Sequence, residues 1–442
     1  MSLTKGASSA KLPSAVGARA VGPIVFERVF GLRPRHDDSG GAEAAPDSSC
    51  FTWQAARLLA RGERRPTAMA YAELALRDPC CRDHDGCVFY ALITLLCGNK
   101  FKLAALHCDL LAELPAWSAN TASGRLLAAL RARIQHLSGD PARALESFAR
   151  AARGSHGQPP SSIAVAWEAE ASIDVGDPQR ALRLLQRHDR RGEKAGDLLP
   201  GSLSGGRVLL LAARAAAHVA MGEYSAGIRD YRACGQYLLA NQLDNPSLVP
   251  WHINLGLAAM ESGDDEQAKQ FVTIGMRAAL RWGAASEIGR ALYAAIRLSG
   301  RQDITDVARE AFDLLRVSGA ICDLLRITLL LGKVLAGRQQ LPLARRFFHE
   351  AIAMGTQHRN PDIVRKATSA LDEIGAPRRL TPQEFKITRL AAMGYNNDAI
   401  ARILILARRT VEAHLSSAYG KLGLSGRREL ADCYPVLQPE IL

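Results

Sequence analysis

The 442-residue chain has few aromatic residues and no long run of apolar residues. Phe, Trp and Tyr make up 6 % of the sequence, and Ala and Leu are abundant. This bias favours packed helices over β-sandwiches. No stretch of roughly 18 apolar residues occurs, so we expect no membrane span. The first residues lack an apolar core followed by a small-residue cleavage site, so we expect a cytoplasmic protein rather than a secreted one.

Regular cysteine spacing and catalytic sets of residues are also missing. The nine cysteines are odd in number and irregularly spaced, which favours reduced thiols. The motif "CCRDHDGC" gathers Cys80, Cys81, His84 and Cys87, and Cys97 follows. A loop with unmodified thiols is the favoured interpretation, with redox sensing, metal binding and an enzyme built on these cysteines as alternatives. No Ser/His/Asp set or carboxylate pair has a diagnostic spacing. We therefore expect no enzyme, no cofactor and no metal.

A glycine-led turn recurs between apolar segments with helical periodicity. The turns begin at Gly98, Gly139, Gly176, Gly222, Gly263, Gly300 and Gly337, in steps of 37 to 46 residues. Glycine permits the left-handed residue that ends a helix, and an alanine soon afterwards allows two helices to cross closely. Such hairpins must stack to bury their apolar faces. The pattern resembles the tetratricopeptide family with a longer period, which implies an α-solenoid whose concave groove holds an unknown small-molecule or protein effector.

The composition changes at both ends of this repeat region. Residues 1–50 are rich in Ser, Ala, Gly and Pro and are expected to be disordered apart from the apolar piece "GPIVFERVFGL". The repeats are assigned to residues 51–374. The stretch "GAPRRLTP" breaks helical periodicity, so residues 375–379 form a predicted linker to a small domain at 376–441. The segment from Gly375 to Asp432 contains ten Lys and Arg and five Asp and Glu, a net charge of +5. This charge suggests a polyanionic partner.

Three short helices are predicted after the linker. "LTPQEF" combines Thr381, Pro382 and Glu384 in a capping box, and Asn396 or Asn397 caps a second helix. The third is "ARRTVEAHLSSAYGKL". At 100° per residue, the residues that share its apolar face are Val411, Leu415, Ala418 and Leu422. The opposite face carries Arg409, Glu412, Ala413, Ser416 and Gly420. This arrangement is typical of a helix-turn-helix, whose second helix enters the major groove.

The segments "LTPQE", "AAMGYNNDAIA", "RTVEAHLSS" and "KLGLSGRREL" resemble the LuxR-type DNA-binding domain at that family's spacing. The resemblance implies a four-helix domain with a helix-turn-helix from Asn397 to Ser416. It places Glu412, Ala413 and Ser416 near the bases and Thr410, His414 and Lys421 near the phosphates. The expected DNA-binding residues are Asn397, Arg408, Arg409, Thr410, Glu412, Ala413, His414, Ser416, Ser417 and Lys421. The segment "SGRRELA" would be the fourth helix, which pairs two such domains.

Three positions depart from the family pattern. Ala407 replaces a capping Ser or Thr, Thr388 replaces a Leu, and Gly420 replaces a basic residue. They suggest a marginal or weakly binding domain. Residues 205–374 also resemble the repeats of large ATP-binding LuxR-type regulators. The sequence contains no GxxxxGK[ST] motif, however, so ATP hydrolysis does not carry over.

The sequence therefore predicts an all-α protein, a tetratricopeptide-like solenoid followed by a LuxR-type domain. Its expected function is sequence-specific transcription regulation. The expected partners are operator DNA, RNA polymerase, a second copy of the chain and an effector bound by the repeats. The alternative is a protein-interaction scaffold whose C-terminal tail no longer binds DNA.

Overall fold

The computed structural model describes residues 50–118, 121–153, 161–192, 206–299, 304–375, 380–422, 424, 426–428 and 430. Within these residues the regular structure is entirely helical, which confirms the predicted all-α class. The predicted disordered segment and its piece "GPIVFERVFGL", most of the predicted linker, Gly300 and residues 431–441 lie outside them. A search of the described helices finds none that is long and apolar enough to span a bilayer.

Helical hairpins stack from Phe51 to Glu373 and form the predicted solenoid. The helices are α1 (Phe51–Arg61), α2 (Arg65–Arg77), α3 (Pro79–Arg82), α4 (Asp85–Cys97), α5 (Phe101–Ala112), α6 (Ala122–Leu137), α7 (Pro141–Arg153), α8 (Ser162–Asp174), α9 (Pro178–Gly192), α10 (Arg207–Ala220), α11 (Tyr224–Ala240), α12 (Trp251–Glu261), α13 (Asp265–Trp282), α14 (Ala285–Leu298), α15 (Thr305–Ser318), α16 (Ile321–Gly337), α17 (Leu341–Gln357) and α18 (Pro361–Glu373). A short 3₁₀ turn, Pro115–Trp117, precedes α6. Neighbouring hairpins share continuous apolar cores.

The glycine-led turns work as the sequence suggests, with one variation. Four of them place the glycine itself at positive φ, and these are Gly139, Gly176, Gly222 and Gly263. At Gly98 the left-handed residue is instead the next one, Asn99, and at Gly337 it is Gln339, two residues later. The alanines expected at the helix crossings, Ala104, Ala144, Ala181, Ala268 and Ala344, are all fully buried. Small side chains at these points let the two helices of a hairpin approach closely.

The superhelix closes on itself, so its concave face is not the open groove that the sequence suggested. The Trp282 indole donates to the carbonyl of Cys97 over 2.8 Å, and the Cys322 thiol donates to the carbonyl of His136 over 2.8 Å. Late repeats thus contact early repeats across the axis. The first helices of successive hairpins, from α4 to α16, therefore surround a central cavity of about 190 Å³.

A small separate domain follows the solenoid. It contains α19 (Pro382–Ala392), α20 (Asn397–Leu404) and α21 (Arg408–Leu422). Its core is Leu380, Ile387, Ala391, Ile400, Ala401, Val411, Leu415, Ala418, Leu422, Leu424 and Leu430. At the end of the solenoid, the buried Arg345 donates to the carbonyls of Ile374 and Gly375. This contact holds the residue at which the chain leaves the repeats, and Gly375 itself has a positive φ of 69°.

Candidate nucleic-acid interface

The first helix of the C-terminal domain, α19, begins with the predicted capping box. The Thr381 side chain accepts a hydrogen bond from the Glu384 amide, and the Glu384 carboxylate accepts one from the Thr381 amide over 2.6 Å. Pro382 occupies the first helical position, where its missing N–H leaves no carbonyl unpaired. These local bonds fix the start of α19 and therefore the position of Glu384.

The turn between α20 and α21 gives the two helices their crossing angle. Asn396 caps α20 by accepting from the Ala399 amide over 2.8 Å. The helix ends at Ile405, which adopts the left-handed conformation with φ 53°, and the Leu406 amide donates back to the Ala401 carbonyl. A β-branched residue rarely takes this conformation. The Ile405 side chain is also 92 % exposed, so packing does not compensate for the strain.

Helix α21 is amphipathic in the predicted register. Val411, Leu415, Ala418 and Leu422 are buried against α19 and α20. The outer row, which we define as Arg409, Glu412, Ala413, Ser416 and Gly420, is exposed throughout. The neighbouring Arg408, Thr410 and Ser417 are also exposed, and His414 is half-buried. The apolar face thus anchors the helix while its opposite face stays open to a ligand.

A hydrogen-bond network holds the carboxylate of Glu412 within this exposed face. Arg408 donates to it over 2.9 Å from the preceding turn, and Asn397 contacts it from α20. Asn397 in turn accepts from Arg427 over 2.9 Å. The pKa of Glu412 is lowered, chiefly by the Arg408 hydrogen bond. Glu412 is therefore an oriented, ionised acceptor before any partner binds.

A second network joins the two ends of the domain. The buried Glu384 accepts from Lys421 over 2.6 and 2.8 Å and from Ser417 over 2.7 Å. Burial raises the pKa of Glu384, but the bonds from Lys421, Thr381 and Ser417 outweigh it and bring the pKa to about 2. Lys421 and Ser417, both expected at the DNA, thus hold α21 against α19 in the free protein.

The three departures from the family pattern have different structural consequences. Thr388 is fully buried, but its hydroxyl donates to the Glu384 carbonyl over 2.6 Å, so its polarity is satisfied within the helix. At the start of α21, only the backbone carbonyl of Ala407 accepts, from the Thr410 and Val411 amides, because its methyl group cannot cap the helix. Gly420 faces open space. A side chain would therefore fit there without a clash.

The geometry agrees with a family comparison. Residues 378–434 match the family model described as "Bacterial regulatory proteins, luxR family". The C-terminal domain is a LuxR-type helix-turn-helix domain. Two mycobacterial proteins provisionally named as HTH-type transcriptional regulators, Mb0914c of Mycobacterium bovis and MT0914 of Mycobacterium tuberculosis, are each 36 % identical over 89 residues, which is 19 % of this chain. The matched segment spans only 10 % of either relative.

Solved structures that resemble the chain are other helical proteins. The structure of a Rap protein complexed with Competence and Sporulation Factor aligns over 73 % of this chain and 96 % of the Rap chain, with 13 % sequence identity and a TM-score of 0.45. A chain of the APC/C hetero-tetramer Cut9-Hcn1 aligns over 72 % of this chain and 56 % of its own length, with 14 % sequence identity and a TM-score of 0.41.

Sequence reasoning missed the roles of Glu384 and Arg427 in the LuxR-type domain. Glu384 was recognised only as a helix cap, and the structure adds its contacts with Lys421 and Ser417. Arg427 donates to Asn397 and to the Tyr395 carbonyl, which ties the segment after α21 to the start of α20. A glutamate in the first turn of α19 and an arginine after the third helix were the available signals. Neither indicates its partner.

The central cavity of the solenoid is a second candidate site. Charged side chains from four helices line it, and these are Arg133, Glu170, Asp174, Glu287, Arg290, Asp323 and Arg326. They form ion pairs across repeats, including Arg326 with Asp174 at 2.5 Å and Arg133 with Glu170 at 2.5 Å. The Nε atom of Arg290 is buried and has no hydrogen-bond partner among the described residues. The lining holds three arginines and four carboxylates, and a cavity with nearly balanced charges suits a small polar molecule.

His136, Asp174 and Cys322 also meet at this cavity, but their geometry does not make a catalytic set. His136 bonds Asp174 over 2.8 Å, while the Cys322 thiol donates to the backbone carbonyl of His136. Burial raises the pKa of Cys322 well above its ordinary value. A thiol kept protonated and directed at a carbonyl is not an activated nucleophile.

Proposed function

We propose that this protein is a sequence-specific transcription regulator that binds operator DNA through α21. The observation that carries the proposal is the exposed outer row of α21, backed by four buried apolar residues of the LuxR-type domain. A helix anchored in this way can enter the major groove, where small and polar side chains reach base edges.

The contacts of the free protein suggest a division of roles along α21. Glu412 is held by Arg408 and Asn397, and a carboxylate in the major groove accepts from the amino group of cytosine. Ala413 and Ser416 lie on the same exposed face. We assign Arg409, Thr410 and His414 to contacts with the DNA phosphates. Arg409 is available for this role because it has no acidic partner within the described part of the domain. Lys421 and Ser417 hold the helix in place, and their contacts with DNA are secondary.

The test is recovery of genomic DNA bound by the full chain, followed by fluorescence anisotropy on the recovered sites. Arg409→Gln should weaken binding similarly on all sequences and reduce the slope of log affinity against log salt by about 1. Glu412→Gln and Ser416→Ala should instead change the preferred bases, by about 1–3 kcal/mol at one position. Arg316→Gln is a matched control, because it removes one exposed arginine from α15 of the solenoid.

An interaction scaffold with an inactive tail would give a different result. It would bind DNA without sequence preference or not at all, and Glu412→Gln and Ser416→Ala would behave like Arg316→Gln. Two-fold symmetric recovered sites would support the proposed homodimer, and sites next to promoters would support contact with RNA polymerase. Single, asymmetric half-sites would contradict the homodimer.

We further propose that the central cavity binds the effector of this regulator. Its ion pairs join α6 and α8 to α14 and α16, so a ligand there contacts both early and late repeats. Such a ligand could shift the population between two arrangements of the solenoid. The volume of about 190 Å³ is below the roughly 300–1,000 Å³ of typical ligand pockets, so we expect a compact polar molecule of amino-acid or sugar size.

A thermal-shift screen of small amino acids, sugars and organic acids on the full chain tests this part, with hits confirmed by calorimetry. Arg290→Gln should weaken binding about tenfold or more, because a hydrogen bond to a charged group contributes about 1.5–3 kcal/mol. Arg297→Gln is the control, since Arg297 pairs with Glu261 and Tyr293 outside the cavity. Equal losses in both variants would show that the hits bind elsewhere.

A further inference from the structure

Three cysteines from separate segments of the chain meet beside the first repeat of the solenoid. Cys50 precedes α1, Cys81 lies in α3, and Cys87 lies in the first turn of α4. We call Cys50, Cys81 and Cys87 the thiol cluster. Their sulfur atoms all lie within 4.8 Å of one another, and those of Cys50 and Cys81 are 3.9 Å apart. The cluster is mostly shielded from water, because Cys81 and Cys87 are buried and Cys50 is half-buried.

The separation of the sulfur atoms matches a tetrahedral metal site. Thiolates bind Zn²⁺ at about 2.3 Å, so two of them in a tetrahedral site lie about 3.8 Å apart. A disulfide would require the Cys50 and Cys81 sulfurs to close to about 2.05 Å. The observed separation of 3.9 Å therefore fits a shared metal ion better than a disulfide.

His84 is the candidate fourth ligand. Its ring nitrogens do not belong to the group of atoms that lie within 4.8 Å of one another, so binding the metal requires its side chain to turn toward the thiol cluster. It stands in the spacing Cys81-x-x-His84-x-x-Cys87, and its amide donates to the Cys81 carbonyl over 3.2 Å. The Nδ1 atom of His84 is buried without a hydrogen-bond partner among the described residues. Structural zinc sites commonly combine three cysteines with one histidine. The adjacent Cys80 is exposed and lies outside the cluster.

We propose that the thiol cluster and His84 bind a structural zinc ion. The ion would join the start of α1 to α3 and to the first turn of α4, three segments that contact each other at the first described hairpin. The sequence alone favoured unmodified thiols, because adjacent cysteines rarely bind one ion and CxxC pairs are missing. The proximity of Cys50 appears only in the fold.

The test begins with the metal content of the full chain, expressed in zinc-replete medium and purified without a metal-binding tag. We expect about one zinc ion per chain by elemental mass spectrometry. Removal by a chelator should lower the melting temperature, and added Zn²⁺ should restore it. Replacement by Co²⁺ should give the thiolate-to-cobalt charge-transfer band and the visible bands of a tetrahedral site.

Single variants identify the ligands. Cys50→Ser and Cys87→Ser should lose the zinc, and His84→Ala should keep the charge-transfer band but release the metal to a competing chelator more readily. Cys108→Ser and Cys234→Ser are matched controls, because both residues are buried cysteines outside the cluster, and they should keep the zinc. Where a variant fails to fold, the cobalt spectrum of the unaltered chain decides the question.

Two results would overturn the proposal. One is unaltered protein that contains no zinc and takes up neither Zn²⁺ nor Co²⁺ after full reduction. The other is a Cys50–Cys81 disulfide in freshly purified protein, seen as a peptide pair lighter by two hydrogen atoms. His84→Ala with unchanged zinc affinity would remove His84 from the site.

Discussion

The central cavity and the exposed face of α21 both pair arginines with carboxylates, but they place the pairs differently with respect to water. In the cavity, Asp174 is almost fully buried and is shared by Arg326 and His136. On α21, Arg408 and Glu412 are an exposed pair within one helix. An ion pair in the cavity therefore determines how repeats are arranged, whereas the pair on α21 can reorganise around a ligand at little cost.

The largest expected effect comes from breaking the cavity network. Asp174→Ala leaves Arg326 and His136 without their shared partner, and we expect the solenoid to lose about 2–4 kcal/mol of stability. Asp306→Ala is the control, because its pair with Arg309 is exposed and should contribute about 0–1 kcal/mol. All five tryptophans lie in the repeats, so their fluorescence during urea unfolding reports this domain. Equal losses in both variants would show that burial does not distinguish the two ion pairs.

The same carboxylate predicts a pH dependence of the solenoid. Burial raises the pKa of Asp174, but Arg326 and His136 outweigh it and lower the pKa to about 2, against an ordinary value of 3.8. A carboxyl whose pKa is lower in the folded state stabilises the fold above its unfolded pKa. This contribution should persist at neutral pH and disappear as the pH falls from about 4 to 2. Asp174→Ala should show a flatter pH profile there.

The next largest effect concerns the one buried carboxylate network of the described LuxR-type domain. Glu384→Gln weakens the capping box and the bond to Lys421, and we expect a loss of about 1–2 kcal/mol. Since the folded pKa of Glu384 is about 2 against an ordinary 4.5, its contribution should be lost gradually as the pH falls from about 4.5 to 2. Hydrogen exchange of peptides within 380–422 measures this. Glu412→Gln, an exposed change on the same domain, should leave exchange unchanged and alter DNA binding only.

The helices of the LuxR-type domain were predictable because their signals are local. The capping box and the apolar spacing of α21 depend on nearby residues, and both were confirmed. Of the two candidate caps of α20, Asn396 and Asn397, the structure uses Asn396. The contact of Glu384 with Lys421 was not predictable, because it depends on how two helices cross after two intervening turns. Recognition of the domain came from its motifs, whereas its expected DNA contacts remain predictions.

The closure of the solenoid was not predictable from the sequence, for a related reason. Repeat spacing indicates that hairpins stack, but the small rotation from one hairpin to the next decides whether the ends meet. That rotation depends on packing at every interface. The contact of Trp282 with Cys97 results from this rotation. The thiol cluster results from local folding around α3. The sequence could name the residues of these sites without showing that they are neighbours.

A smaller change should strengthen the LuxR-type domain. Gly420 lies within α21, and an added Cβ would meet nothing within 4 Å. Gly420→Ala should therefore stabilise the domain by about 0.5–1 kcal/mol, and Gly420→Arg should also add a phosphate contact. Gly394→Ala is the matched control, because it too faces open space but has φ +92°, so it should destabilise. Hydrogen exchange and DNA affinity measure the two effects. A gain at Gly394 would contradict the conformational argument.

The smallest effect tests the turn that sets the angle of the recognition helix. The left-handed conformation of Ile405 destabilises the fold by about 1–2 kcal/mol, and Ile405→Gly removes this strain. Glycine also gives the unfolded chain more freedom, which destabilises the fold by about 0.5–1 kcal/mol. We expect a net gain of about 0.5 kcal/mol, seen as slower hydrogen exchange in α20 and α21. Ile403→Gly, at an exposed position inside α20, should instead lose about 1 kcal/mol. If both variants lost stability equally, the strain at Ile405 would be absent, and its exposed side chain would need another explanation, such as contact with a partner.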